Sequence, residues 1–462
     1  MSKEGTKLQP TLLEAGLILF GMLIIMGLGI IGLQLSPVVP ILTVVFLLIC
    51  WAKIRGFSWE TINQSFVVGI KNGIIPLFIF LLIGSLIGVW IMAGVIPTLM
   101  VLGFKIISVR WFLPSVFLMC AFVGCFIGSA FTIISTVGLA SMGIGVTMGI
   151  DPALIAGAVV SGAVFSDKMS PLSATTNLAS AIAGDDLYAH IKNMLWSTVP
   201  AFLISLVLFA GLSFGHAGAS LSKITQTADI LMKHFTISGW LLLPVLLLLV
   251  CAWAKIPTIP TLFLNIVLTI GLTLITPRNH YSLAQIADVI QNGFKIKTGS
   301  SEVDQILNRG GIISMTSTMT LIIIALALGG LLINLGIIST VMDRFSKKVN
   351  STGMLVLSTV LSAIGVNIFI GEQYLSIILP GTAFKQSYSK ADLAPEALGR
   401  ALEDGGAVIN YLVPWGVAGV FVANTLNVPT LHYLPFVFFS LLCPFFSILS
   451  GFTGVGLKRA IK

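Results

Sequence analysis

The sequence predicts an all-α polytopic membrane protein of about 10 to 12 transmembrane segments, arranged as two inverted structural repeats with broken helices and helical hairpins. Three observations carry that prediction. Of the 462 residues, 56% are hydrophobic and 9% are charged, where soluble domains carry about 25% charged residues. Apolar runs reach the roughly 20 residues that one helical crossing needs, and runs such as Trp240 to Ala254 show none of the period-2 alternation of a barrel strand. Helix-breaking residues also recur at a fixed interval in the two halves of the chain.

Taken in order, a tail of residues 1–10 with Lys3 and Lys7 precedes an apolar run from Leu12 to Leu33. That run is too long for a signal-peptide core and has no cleavage site, so it is expected to stay as the first helix with the N-terminus inside. Further helices are expected near 37–53, 74–98 and 112–127, then Gly-rich segments from 128 to 183 and a helix near 194–215. The amphipathic piece Ser58 to Lys71 is expected at the membrane surface. Residues 216–236 read as a polar connection, after which apolar runs resume near 237–254, 257–276, 312–342 and 353–370. A second Gly- and Pro-punctuated zone and an apolar run from Pro429 to Leu457 close the chain.

An offset of 243 pairs Gly128 with Gly371, Gly138 with Gly381, Pro152 with Pro395, Gly162 with Gly405 and Pro171 with Pro414. At 242, Gly88 meets Gly330 and Gly94 meets Gly336. Duplicated halves are common in transporter folds, and here they would be 11–215 and 237–458, followed by a tail of 459–462. If each half crosses an odd number of times, the second is inverted and both termini share a side. Lys458, Arg459 and Lys462 favour the cytoplasm, which makes this a multi-pass protein of the cell membrane.

The net charge of +8 fits loop ends facing anionic lipid, so the lipid bilayer is the expected partner and nucleic acid is not. The cysteines (Cys50, Cys120, Cys125, Cys251, Cys443) lack ligand spacing and read as packing residues. His190, His216, His234, His280 and His432 fall near expected helix ends as interfacial side chains, and Asp185 with Asp186 reads as a solvated helix cap. No Walker A motif, nucleotide fingerprint or catalytic dyad is present, so neither ATP coupling nor enzyme activity is expected, and no cofactor.

An ionisable side chain at mid-membrane costs about 2.5–3.5 kcal/mol on the insertion scale and usually lines a pathway. The densest such zone is Ser161 to Asn177, SGAVFSDKMSPLSATTN. Asp167 supplies a carboxylate, Pro171 breaks the helix and frees carbonyls, and Ser170, Ser173, Thr175, Thr176 and Asn177 supply neutral oxygens. Broken helices present such oxygens to Na+, with Asp167, Ser173 and Thr176 as the candidate metal ligands. A surface pair of Asp167 with Lys168 is the plainer alternative. Ser129, Thr132, Ser135 and Thr136 form a polar stripe, either along a pathway or bonded to their own backbone. Glu372 beside Gln373 is either a proton carrier or an acid at a helix N-terminus. Of the adjacent Glu403 and Asp404, one is expected to face the site, with Asp404 favoured and Glu403 pairing with Arg400 or Lys168. Asn410 is the repeat mate of Asp167.

The stretches GIDPALIAGAVVSGAVFSDKMSPLSATTNLA (149–179), GEQYLSIILPG (371–381) and ALEDGGAVINYLVPW (401–415), with Gly124 to Gly138, resemble the NhaC-type sodium/proton antiporter family. The resemblance spans nearly the whole chain. It implies a secondary transporter coupled to Na+ and/or H+, with relatives that exchange malate and lactate. Departures stand at Ser166, Ala174, Gly405, Ala407 and Gly416, where the family pattern carries Gly, Asp, Ser, Thr and Asn, and Phe131 stands where a Trp often follows. Losing the acid at Ala174 implies either a smaller ion load or a site opened for an organic solute, with Phe131 and Trp415 packing on its apolar part. Na+/H+ antiport by alternating access is the leading expectation, and ion-coupled exchange of small carboxylates or amino acids the alternative. Oligomeric state, including a homo-oligomer, is left open.

Overall fold

The computed structural model describes residues 9–459 apart from 72, 107–108, 215–220, 277–280 and 348–350. Arg278, His216, His280 and the outermost tail lysines therefore lie outside the described residues. Among the described residues every regular element is helical, apart from one isolated bridge between Leu393 and Arg459. Among them, 7 helices are long and apolar enough to cross a membrane, or up to 11 if each bent pair is one span. Where apolar residues continue all round a helix, every face must meet lipid or another helix. Ile74–Ala93 is mostly buried, while Leu12–Gly32 exposes most of its surface.

Two bent helix pairs have ends at the Gly and Pro spacing. Pro152–Met169 meets Ala174–Ala183 at 45°, and Pro395–Leu412 meets Val417–Leu426 at 41°. Each of these bounds is displaced by 243 from its mate. The helices before them, Phe112–Ile127 and Thr352–Ile370, end on Gly128 (φ +68°) and Gly371 (φ +74°), the left-handed conformation glycine adopts without a Cβ clash. Ser129 and Glu372 then cap the next helix in each half.

Several expected helices are divided. The 74–98 run stops at Ala93 because Gly94 turns left-handed (φ +89°), and Val95–Ile106 continues separately. The 312–342 run stops at Asn334, followed by Gly336 (φ +79°) and Ile337–Lys347. The supposed polar connection contains a helix, Leu221–His234. Two helices went unforeseen, Leu283–Asn292 and Ser301–Leu307, both too short and polar to register as apolar runs.

The Ser58 to Lys71 piece forms the helix Trp59–Lys71, which packs closely across Thr316–Asn334. A Cβ at Gly69 would stand 2.2 Å from the Leu326 carbonyl oxygen, and one at Gly330 would stand 2.1 Å from that of Ser65. Leu283–Asn292 packs likewise on Ile74–Ala93, where a Cβ at Gly88 would lie 3.0 Å from the Val289 carbonyl oxygen. An amphipathic helix of each half thus crosses a span of the other, and the paired Gly88 and Gly330 mark both crossings.

Candidate ion-binding site

In the first broken pair, Asp151 caps Pro152–Met169 through the Ala153 amide, with Pro152 at the first helical position, which needs no N–H. The helix ends where Pro171 cannot continue it. Ser173 restarts it by accepting from the Thr176 amide at 3.4 Å. Two side chains pin the break: Ser170 donates to the Cys125 carbonyl at 2.8 Å, and the exposed Asn177 donates to the Pro171 and Ser173 carbonyls at 2.9 and 2.6 Å. Thr176 Oγ1 donates to the Asp167 carbonyl at 3.2 Å, which also accepts from the Ser170 amide, and to the Lys168 carbonyl at 3.1 Å. Thr175 donates to Asp167 Oδ2 at 3.5 Å and lies 2.9 Å from Ser173 Oγ. A carboxylate, three hydroxyls and two main-chain carbonyls therefore gather at one buried helix break.

The second broken pair carries a single π-type turn at Glu403–Ala407, closed by the Val408 amide to the Glu403 carbonyl at 3.2 Å. Such bulges are frequent at functional sites. Asn367 donates to the Gly405 and Gly406 carbonyls at 3.2 and 2.6 Å, and Gln373 to the Ala407 carbonyl at 3.3 Å. Asn410 donates to Asn367 Oδ1 at 2.8 Å and accepts from the Ala418 amide at 2.9 Å. The pairs 167–175 and 410–418 are repeat mates, so Asn410 caps a half-helix where Asp167 faces a hydroxyl. Trp415 donates to the Ile368 carbonyl at 2.6 Å and so ties its own break to Thr352–Ile370.

The charges sort differently from the sequence reading. Lys168 Nζ lies 2.5 Å from Asp404 Oδ1 and 3.0 Å from Ser197 Oγ, and the pair is almost wholly buried. Lys168 therefore holds Asp404 rather than Asp167. Arg400 bonds to Ser450 Oγ at 2.7 Å and to the Gly456 carbonyl at 3.0 Å, leaving Glu403 to other neighbours. Both Glu403 carboxylate oxygens are buried with no hydrogen-bond partner among the described residues. Glu403 stands within electrostatic reach of Asp167, Lys168 and Asp404. The π turn buries both adjacent acids, Asp404 against Lys168 and Glu403 without a hydrogen-bond partner among the described residues.

Glu372 is 2% exposed and accepts from the Leu375 amide at 2.8 Å, so it serves as a helix cap. Tyr374 senses both Glu372 and Asp167, and Tyr411 adjoins Asp167, Gln373 and Glu403. Tyr411 was missed in the sequence, although the 243 offset pairs it with Lys168. Ser129 accepts from the Thr132 amide and hydroxyl at 3.4 and 3.1 Å, while Ser135 and Thr136 bond to carbonyls one turn back. The stripe thus follows its backbone alternative.

The idea of an opened cavity is corrected. A Cβ at Gly405 would lie 2.6 Å from the Val360 carbonyl oxygen, and one at Gly416 would lie 3.1 Å from Val413 Cβ. Both glycines permit close helix packing instead of leaving space. Ala174 is exposed. Phe131 packs among Phe80, Phe421 and Tyr411, with centroids 5.0–5.9 Å away. Asp185 and His190 are also corrected: Asp186 caps the Leu187 helix, but Asp185 Oδ2 pairs with His190 Nδ1 at 3.1 Å, both fully buried. Among the described residues no three His, Cys, Asp or Glu side chains converge as metal ligands. An oxygen-lined site of this kind suits a hard cation.

Residues 162–455 match the Na+/H+ antiporter family. The chain is 43% identical over 427 residues to the Na(+)/H(+) antiporter NhaC of Alkalihalophilus pseudofirmus, covering 92% of each. It is 40% identical over 442 residues to the Na(+)/H(+) antiporter NhaC of Bacillus subtilis, covering 95% of this chain and 97% of that one. It is 35% identical over 401 residues to the malate-2H(+)/Na(+)-lactate antiporter of Bacillus subtilis, covering 86% and 85% respectively.

Proposed function

The chain belongs to the Na+/H+ antiporter family, and from that premise we propose that Asp167 and Glu403 form the carrier site at which Na+ and H+ replace one another. It is a secondary active transporter, with Na+ and H+ as its coupling ions, and not an enzyme. One observation carries the assignment of the site. Glu403 buries both carboxylate oxygens without a partner among the described residues, beside the hydroxyl-lined break at Asp167. An uncompensated carboxylate in a low-dielectric interior costs several kcal/mol. A proton or a cation removes that cost, so the two compete for the same oxygens.

In this reading Asp167, Ser173, Thr175 and Thr176 receive Na+, with the Asp167 carbonyl in reach. Lys168 and Asp404 neutralise one another and hold the two broken pairs together. The halves are inverted about the membrane plane, both termini lie in the cytoplasm, and rocking of one half against the other exposes the site to each side in turn. Exchange of an organic solute has less support, because Gly405 and Gly416 are filled by their neighbours.

The test is proton movement in proteoliposomes of the purified protein, with a pH-sensitive dye inside and sodium, lithium or potassium pulses outside. A sodium-specific pH change is expected, lost in both Asp167→Asn and Glu403→Gln. Wild-type exchange by Asp167→Asn would remove that residue from the site. A response to malate or lactate gradients with none to cations would replace the reading with solute exchange.

A further inference from the structure

A groove on the side of Thr352–Ile370 turned away from the carrier site points to a second ligand. It lies among Leu12–Gly27, Ile337–Lys347 and Thr352–Ile370, encloses about 590 Å³, and follows the last helix from Met354 to Phe369. At 1.5 Å per residue that path is about 22 Å long, more than the ~15 Å of hydrocarbon in one leaflet. The lining is mostly apolar, and its polar side chains are Arg344, Ser358 and Ser362. Arg344, in the last turns of Ile337–Lys347, lines the groove together with Met354 of the next helix. Ser358 and Ser362 follow on one face of the helix, one turn apart, and neither hydroxyl bonds to a described residue. Leu361 lies between them, and beyond them Gly365, Val366 and Phe369 make the remainder apolar.

We propose that this groove binds one anionic phospholipid. Arg344 holds its phosphate, the two serine hydroxyls meet the glycerol esters, and an acyl chain lies along Gly365 toward Phe369. The order of charge, hydroxyl and hydrocarbon along the groove matches that of a phospholipid from headgroup to tail. Gly365 has open space at its Cβ, with only Phe369 at 4.0 Å, so the groove is not closed by its own side chains.

The opposite side of the same helix carries Asn367, which holds the π turn beside Glu403. A bound lipid therefore braces the helix that supports the carrier site. The binding itself does not depend on which ion is carried.

The experiment titrates delipidated protein in detergent with phosphatidylglycerol or phosphatidylcholine, following thermal unfolding and retained lipid by native mass spectrometry. Phosphatidylglycerol is expected to raise the unfolding temperature and remain as one bound molecule. Arg344→Ala is expected to weaken its apparent affinity about fivefold, as befits one interfacial cation, and Arg344→Lys to keep most of it. Gly365→Leu, which fills the apolar end, is expected to displace the lipid with Arg344 intact. Equal binding of phosphatidylcholine, or no loss in Arg344→Ala, would overturn the proposal. So would glycerol phosphate without a chain stabilising as well as the lipid. A Gly365→Leu variant that changes the oligomeric state while still binding lipid would assign the groove to a second copy of the chain.

Discussion

A lysine that is 1% exposed and an aspartate that is 0% exposed coexist in this interior because each is the other's counter-charge. Removing one partner of such a pair leaves a buried charge uncompensated and costs about 3–5 kcal/mol, whereas replacing both by apolar groups is often neutral. Asp404→Asn is therefore expected to lower the thermal stability of the purified protein by that amount, and Lys168→Met with Asp404→Leu to recover most of it. A double variant no better than Asp404→Asn alone would deny the coupling. Glu403 behaves in the opposite sense, since among the described residues no cation is at ion-pair distance from it. Glu403→Gln removes an unpartnered charge, so stability in sodium-free buffer is expected to hold or rise while exchange is lost. Sequence located all of these residues but paired them wrongly. Adjacent acids on a regular helix face different ways, and nothing in the letters Glu403-Asp404-Gly405-Gly406 announced the π turn that buries both.

At the level of elements, the glycines decide how closely neighbouring helices approach. Gly405 stands where the family pattern has Ser, and its missing Cβ lets the π turn lie against the Val360 backbone. Gly405→Ser is therefore expected to destabilise by about 1–3 kcal/mol through overpacking, even though it restores the family residue. Thermal unfolding beside Gly365→Ser, a site with open space, separates packing from a general intolerance of serine. An unchanged Gly405→Ser variant would show that Val360 moves aside. The broken pairs were legible because Pro171, Pro414 and the glycines before them punctuate apolar runs at one interval. The helices Leu283–Asn292 and Ser301–Leu307 were not, because they bury too few apolar residues to give a run. Asp185 was misread for a related reason. It stands beside the genuine cap Asp186, and its burial depends on His190 meeting the helix that holds Gly399. That is a tertiary contact which local sequence does not record.

Across the whole molecule, the two broken pairs share helix bounds at one offset yet differ in chemistry at the break. Asp167 and Thr175 occupy the first, where Asn410 and the Ala418 amide occupy the second. A neutral amide that satisfies its own half-helix needs no ion, whereas a carboxylate facing hydroxyls does, so in the proposed reading the first break carries the ion and the second is structural. Occupancy is then linked to folding, because an ion that binds only the folded protein stabilises it by about 2.7 kcal/mol at a hundred times its dissociation constant. If protons and Na+ compete for Asp167 and Glu403, the sign of the pH effect follows. Raising pH removes the competing proton, and less Na+ suffices for the same stabilisation. Lowering pH fills the carboxylates with protons and shifts the sodium titration to higher concentration, with K+ inert throughout. Thermal unfolding of the purified protein against NaCl at several pH values reads this directly. A sodium midpoint that falls as pH rises, and no sodium response in Asp167→Asn, are expected. A midpoint independent of pH would mean that Na+ and H+ occupy separate groups, and coupling would then have to run through the movement of the halves instead of through a shared carboxylate.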